Sequence, residues 1–396
     1  MNNTIKLIRA VTVSQSIDFY LPLVPKLQAQ GYEVVSLSSP GPELQRLKEE
    51  GVRCLEVSME RHISLKRDFM ALCRLIKTFR KERPNIVHSM TPKAGMLCMV
   101  AAWICRVPVR IHTFTGLVWP TATGLKRRIL MATDWLTCAC ATHIIPEGEG
   151  VKSDLLNHGI TQKPLKVLGY GNVRGIDLVH YDRTAEVMGE AERIKKEVLN
   201  AGIPSDDMPK GEEIFTFIFI GRIVRDKGIN ELVSAFRKLQ MAHPQVRLLL
   251  VGEYEEDLDP ILPETKREID ENPGILAVGR QNDVRPWLAA SDALVFPSYR
   301  EGFPNVVIEA GAMGLPSIVT DINGSREIIE EGQNGIIIPS KDEEALYDGM
   351  LRFAEQPQLV SSLSSHAREL VAKRYEQGFV QKCLLDFYRD VDVMSK

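Results

Sequence analysis

Two short segments place charged and small residues where they could hold an anion and a polyol. The first, Gly221-Arg222-Ile223-Val224-Arg225-Asp226-Lys227-Gly228, follows the apolar run FTFIFI and precedes a helical pattern beginning near Asn230. Gly221 lets the chain turn closely at a strand end, Arg222 and Lys227 can converge on an anion from opposite sides, and helix-start amides add donors. A diphosphate is the natural guest, although the string alone is also an ordinary basic loop. The second segment, Ser298-Tyr299-Arg300-Glu301-Gly302-Phe303-Pro304-Asn305-Val306-Val307-Ile308-Glu309-Ala310, follows the strand-like ALVFP. Its turn at Gly302–Pro304 separates Glu301 from Glu309, so the two carboxylates can bracket one ligand rather than share a helix face. A carboxylate accepts hydrogen bonds from vicinal hydroxyls, which suits Glu309 to a ribose and Glu301 to a second polyol. Amides at Asn305 and Val306 can stabilise phosphate. The competing reading of Glu309 is a satisfied, half-buried helix residue.

Other candidates lie in the first half. His88 ends a strand-like run and Lys93 opens the helix after it, a crossing where the pair could meet an acceptor phosphate; an ordinary capped helix start competes. The D-x-D strings Asp257-Leu258-Asp259 and Asp390-Val391-Asp392 follow no convincing strand, so structural or solvent roles are expected and no metal is assigned. Cys138 and Cys140 form C-x-C with no second pair to close a tetrahedral zinc site, and are read as buried, inert thiols.

The elements that must carry these residues alternate. Strand patterns at 5–13, 33–37, 54–57, 86–89, 109–113 and 143–146 are separated by helical patterns at 19–30, 43–50, 65–83, 94–105 and 125–140. After a polar stretch reaching Gly211 the alternation restarts at Phe215–Ile220 and runs to Gly335–Ile338, followed by three helices. Strands separated by helices of this length predict parallel sheets covered on both faces. The expected organisation is α/β: Rossmann-like domains over 1–170 and 171–376 facing across a cleft, with a C-terminal helix over 377–396. Ligands of such sheets bind beyond the carboxyl ends of the strands.

Composition agrees. The 396 residues exceed what a single core usually holds, and 44% apolar with 26% charged residues is ordinary globular usage. The seven cysteines fit a reducing, cytoplasmic compartment. MNNTIKLIRAVTV reads as a buried strand rather than a secretory signal, and no run is long enough to span a bilayer. The net charge of -3 conceals +10 over residues 1–168 and -13 over 169–396. A basic first half suits a polyanionic partner or an anionic membrane surface, while the acidic second half argues against wrapping along nucleic acid.

GRIVRDKG with EGFPNVVIEA about 80 residues later, the junction GYGNVRGID, and VHSMTPKAG together resemble glycosyltransferase family 4, retaining nucleotide-sugar transferases of the two-domain GT-B fold. The resemblance covers nearly the whole chain. Within the family it is most similar to bacterial enzymes that lengthen lipid-linked sugars for capsule, O-antigen lipopolysaccharide or related glycans. It implies that Arg222 and Lys227 hold the donor diphosphate and stabilise the leaving group, Glu309 binds the ribose, and Glu301 the transferred sugar. Asn305 and Val306 would approach phosphate or sugar through the main chain, and Gly279-Arg280-Gln281 would border the base. No metal is implied, and the donor is a nucleoside diphosphate sugar, UDP-linked in preference to GDP-linked. The acceptor is a glycan or polyprenyl-diphosphate-linked saccharide.

The acceptor half departs from the family twice. A glycine-rich turn after the first strand is replaced by Val13-Ser14-Gln15-Ser16-Ile17, where Ser14 and Ser16 can offer hydroxyls. Thr115 stands where relatives carry histidine, and cannot act as cation or base; His112 is a weakly motivated substitute, read as structural. Competing classes are a sugar-nucleotide 2-epimerase of related fold and a noncatalytic sugar-nucleotide-binding protein. Neither strand-to-helix turn is G-x-G-x-x-G, so dinucleotide binding ranks low. Residues 61–83 hold eight Lys+Arg against two Asp+Glu, and Lys126-Arg127-Arg128 forms a second basic patch. With Phe69, Leu72, Leu75, Ile76 and Phe79 turned to the core, electrostatic docking of a peripheral protein on the inner face of the plasma membrane is expected.

Overall fold

The computed structural model describes residues 4–60, 64–199, 214–255 and 259–393. Arg61 to Ile63 of the basic segment, the polar loop near Gly211, and Asp257 and Leu258 lie outside the described residues, as does the side chain of Asp392. The chain forms two units, one ending at Gly175 and taking in the segment from Gln377 onward, the other spanning Ile176–Glu376.

In the first unit β1 (Ile5–Ala10), β2 (Tyr32–Ser38), β3 (Arg53–Glu56), β4 (Ile86–Met90), β5 (Val109–Phe114) and β6 (His143–Pro146) form a parallel sheet in the order β3-β2-β1-β4-β5-β6. Central strands β4 and β5 are buried along almost their whole length, polar His88, Ser89, His112 and Thr113 included, because helices cover both faces. Helices Leu65–Glu82, Pro92–Ile104 and Gly124–Cys140 connect β3 to β6 along one face. On the other, Gln377–Val393 adds Leu384, Phe387, Tyr388 and Val391 to the core beneath β1 and β4.

The helix expected over 19–30 is broken. Ser14–Phe19 and Leu21–Leu23 are 3₁₀ turns and only Val24–Ala29 is α-helical, because Pro22 and Pro25 lack the amide hydrogens a continuous helix would use. Phe69 is also corrected: it is 65% exposed rather than turned to the core, while Leu75 and Phe79 are buried as periodicity requires. Helix Glu149–Asn157, which the sequence reading passed over, follows β6.

The second unit repeats the plan with β7 (Thr216–Ile220), β8 (Arg247–Val251), β9 (Ile275–Ala277), β10 (Ala293–Phe296), β11 (Ser317–Thr320) and β12 (Gly335–Ile338), ordered β12-β11-β10-β7-β8-β9. Among the described residues no helix is long and apolar enough to cross a membrane. Cys98, Cys138 and Cys140 are buried and unbridged, and burial pushes the Cys98 and Cys138 thiols up to about 12.

Candidate functional site

Strands β7 and β10 are neighbours, yet the chain leaves them in opposite directions, toward β8 and β9 on one side and β11 and β12 on the other. Loops at such a switch point diverge and leave a crevice beyond the strands' carboxyl ends. The loop after β7 carries Arg222 and Lys227, and the loop after β10 carries Glu301. Gly228 allows the two to press together: its φ is +73°, and a Cβ there would stand 2.1 Å from the Pro297 carbonyl oxygen.

The structure brings Lys227 and Glu301 into an ion pair, with side chains only 14% and 17% exposed. The Lys227 ammonium also lies 5.3 Å from the centre of the Phe296 ring, and the Ser298 hydroxyl donates to the same Glu301 oxygen at 2.8 Å. Asp226 fastens the loops around them. It accepts from Arg300 Nη2 at 3.0 Å and its carbonyl accepts the Tyr299 amide at 2.9 Å, while its own amide donates to Asp259 at 2.7 Å. Asp259, from one D-x-D string, is thus committed to this loop and to Arg225 at 3.0 Å. Arg222 lies apart from that pair, half-exposed, with Glu255 Oε2 at 2.5 Å.

Asn305, Val306 and Glu309 occupy helix Asn305–Ala312, whose Val307, Ile308, Ala310 and Ala312 are buried. The three half-buried residues fall on its remaining side, with Asn305 and Glu309 one turn apart. Beyond β9, Gly279 and Arg280 are exposed, and Gln281 folds back to donate to the Val278 carbonyl at 2.7 Å. Sequence reasoning missed Phe296, Ser298, Asp226 and Glu255. Ser298 lay three residues before Glu301 in a segment already singled out; Glu255, 33 residues from Arg222, carried no signal.

The first unit has its own switch point, between β1 and β4. There Thr12 and Thr91, neither anticipated, share a hydroxyl–hydroxyl hydrogen bond of 2.7 Å, and the Ala94 amide donates to Thr12 Oγ1 at 3.1 Å. Thr91 holds φ +67°, costly for a β-branched residue by about 1–3 kcal/mol. Ser14 is buried and donates to Glu43 at 2.5 Å, whereas Ser16 and Thr115 are half-buried.

Three acceptor candidates are engaged internally instead. Lys93 donates to both carboxylate oxygens of Asp68, at 2.8 and 2.7 Å. His88 is 1% exposed, and both its ring nitrogens are used. Arg9 can only donate, so the chain has a direction: Arg9 Nη1 to Tyr388 Oη at 2.6 Å, Tyr388 to His88 Nδ1 at 2.6 Å, and His88 Nε2 to Thr113 Oγ1 at 2.7 Å. Burial, then the Arg9 charge, hold this imidazole well below its ordinary range and neutral. His112 is likewise buried, bonded to Ser89 at 2.9 Å and lowered to about 3 by desolvation. Neither histidine presents a ring nitrogen to an acceptor, because strands covered on both faces have no open surface at those positions.

Residues 20–171 match the model described as glycosyl transferase 4-like domain, and residues 214–356 that described as glycosyl transferases group 1. The capsular polysaccharide biosynthesis glycosyltransferase CapM of Staphylococcus aureus is 29% identical over 392 residues, covering 97% of this chain and 96% of CapM. An Escherichia coli UDP-Gal:alpha-D-GlcNAc-diphosphoundecaprenol alpha-1,3-galactosyltransferase is 25% identical, covering 84% of this chain and 82% of its own. Among solved structures, Anabaena Alr3699/HepE in complex with UDP and glucose superposes with a TM-score of 0.79 at 18% identity, covering 98% of this chain and 100% of that one. WaaG, a glycosyltransferase involved in lipopolysaccharide biosynthesis, gives 0.71 at 14% identity, covering 96% and 98%. Two six-stranded parallel sheets, each with a polar loop pair at its switch point, and these matches over both units make the chain a glycosyltransferase of GT-B fold, built from a glycosyl transferase 4-like domain and a group 1 domain.

Proposed function

We infer that this chain, as a family 4 enzyme, moves a hexosyl residue with retention from a UDP-sugar to a polyprenyl-diphosphate-linked saccharide, in assembly of a bacterial capsule or lipopolysaccharide. The observation that carries this reading is the Lys227–Glu301 pair at the β7/β10 switch point, with Ser298 fixing the carboxylate. The diphosphoundecaprenol-linked substrate named for the E. coli relative and the UDP-bound neighbour support the acceptor and donor classes.

An incoming diphosphate competes with Glu301 for Lys227 and with Glu255 for Arg222. Released from Lys227 and still held by Ser298, Glu301 turns its oxygens to sugar hydroxyls. As the glycosidic bond breaks, negative charge grows on the leaving diphosphate, and the two cations stabilise it more in the transition state than in the ground state. The departing oxygen accepts the acceptor's proton on the same face. Glu309 receives the ribose hydroxyls, Asn305 and Val306 approach the phosphates, and Gly279, Arg280 and Gln281 border the base. Side-chain cations perform the electrostatic work. The acceptor is met at an anionic inner leaflet.

The deciding experiment is a panel of UDP- and GDP-sugars with undecaprenyl-diphosphate saccharide, followed by released nucleotide and by anomeric configuration of the product. Release of UDP and an axial product from an axial donor are expected. Sugar-nucleotide epimerisation without transfer would overturn the reading.

A further inference from the structure

Among the described residues, eight of the fourteen large apolar side chains left exposed lie on three adjacent helices of the first unit: Leu65–Glu82, Pro92–Ile104 and Gly124–Cys140. These helices cross one face of the sheet as successive connections from β3 to β6, and the Lys93–Asp68 contact sets the starts of the first two level. Phe69, Leu125 and Ile129 are exposed near the starts, while Trp103 and Trp135 are exposed near the far ends, 58% and 56%. The apolar surface therefore extends along the helices for about 15 Å, at roughly 1.5 Å per residue, rather than capping one end.

Charge on this face is one-sided. The three helices hold ten Lys+Arg and three carboxylates. Each carboxylate is engaged inward: Asp68 with Lys93, buried Glu82 with Arg53, and buried Asp134 with the Trp119 indole. Lys66, Arg74, Lys77, Lys81, Lys126 and Arg128 are exposed, with no ion pair among the described residues. A merely solubilising face would mix both signs, and a protein-binding core would be depleted of lysine. Tryptophan and leucine set among unpaired cations fit the boundary between lipid headgroups and acyl chains.

We propose that this three-helix face lies flat on an anionic phospholipid leaflet and seats Phe69, Trp103, Leu125, Ile129 and Trp135 below the headgroups, with its lysines and arginines on lipid phosphates. The proposal rests on the reading that the acceptor is membrane-borne, and replaces purely electrostatic docking by shallow insertion.

The test uses the full chain and acceptor-free vesicles of phosphatidylcholine, alone or with phosphatidylglycerol, some carrying bromine-labelled acyl chains. Binding to anionic vesicles is expected, with quenching of tryptophan emission that disappears in Trp103→Phe/Trp135→Phe. The triple variant Phe69→Ala/Leu125→Ala/Trp135→Ala keeps every charge yet is expected to bind about tenfold more weakly or worse, a loss of about 1.4 kcal/mol or more. Lys77→Glu/Arg128→Glu is expected to weaken binding as well. Vesicle binding without quenching, or a triple variant that binds like the parent, would leave only electrostatics and overturn insertion. Self-association in the absence of lipid, lost in the triple variant, would instead assign the face to a second copy of the chain. Because these vesicles hold no acceptor, insertion together with failure of transfer supports the docking and counts against the acceptor reading alone.

Discussion

Replacing Asp134 by asparagine should stabilise the first unit, and increasingly so as pH rises. Asp134 sits on helix Gly124–Cys140, 8% exposed, accepting one hydrogen bond from Trp119 Nε1 at 3.0 Å. Burial pushes its carboxyl up to about 7, and the Trp119 hydrogen bond only partly opposes this. In the unfolded chain the group titrates near 3.9. The native state therefore binds the extra proton between these values, so stability falls as pH rises from about 4 to about 7 and then levels. Three pKa units at about 1.36 kcal/mol each give a ceiling near 4 kcal/mol; relaxation and water penetration around a buried charge lower the penalty, to an order of about 2 kcal/mol. Asparagine has the same shape, still accepts the indole hydrogen and carries no charge. At pH 8 the expected gain is about 4–8 °C in the melting transition of a unit this size, shrinking toward zero at pH 4. His112 has the opposite sign: lowered to about 3, it leaves the unfolded chain with the extra proton between about 3 and 6.5, so stability falls as pH drops through that window. The two slopes offset in the parent, and Asp134→Asn should acidify-unfold more steeply. Calorimetry at half-unit pH steps measures both effects. A pH-independent shift, or destabilisation at pH 8, would refute the reasoning.

Three further outcomes are expected. Lys227→Ala should lower turnover by roughly 10²-fold or more, whereas Ser298→Ala, which removes one of the two donors on Glu301, should lower it less; equal and small losses in steady-state assays would remove both from the transition state. Glu309→Ala should mainly weaken nucleotide binding, and unchanged affinity by calorimetry in a folded variant would contradict the ribose assignment. Tyr388→Phe removes the hydroxyl that accepts from Arg9 and donates to His88 while leaving the direct Arg9–His88 contact of 3.0 Å, and should destabilise by about 1 kcal/mol; an unchanged melting profile would show that this hydroxyl carries no stability.

Much of the β7/β10 loop pair could be read from the chain because its parts are local. A strand, a glycine-bounded turn and a helix start lie within about a dozen residues at both 216–229 and 293–305, so spacing alone placed Lys227 and Glu301 beyond strand ends. The acceptor candidates were harder. His88 and Lys93 had suitable types and positions, but their partners Tyr388 and Asp68 stand 300 and 25 residues away, and nothing local distinguishes a free imidazole from an engaged one. Phe69 kept the apolar period of its helix, yet in the first turns the described contacts reach Asp68 and leave Leu65, Phe69 and Met70 exposed, so period gave the stripe without saying how far the core beneath it extends.

The sequence by itself determined the alternation of strands and helices, the parallel sheets and the two loops rich in cations and carboxylates, since these follow from backbone periodicity and short-range spacing. Strand order decided the rest. Placing β10 beside β7 joined Lys227 to Glu301 across 74 residues, and laying Gln377–Val393 beneath β1 and β4 closed a proton-donating chain from Arg9 to Thr113. Such contacts depend on which remote segments share a layer, and hydrophobic packing over whole sheets selects that, not the few polar groups that then meet.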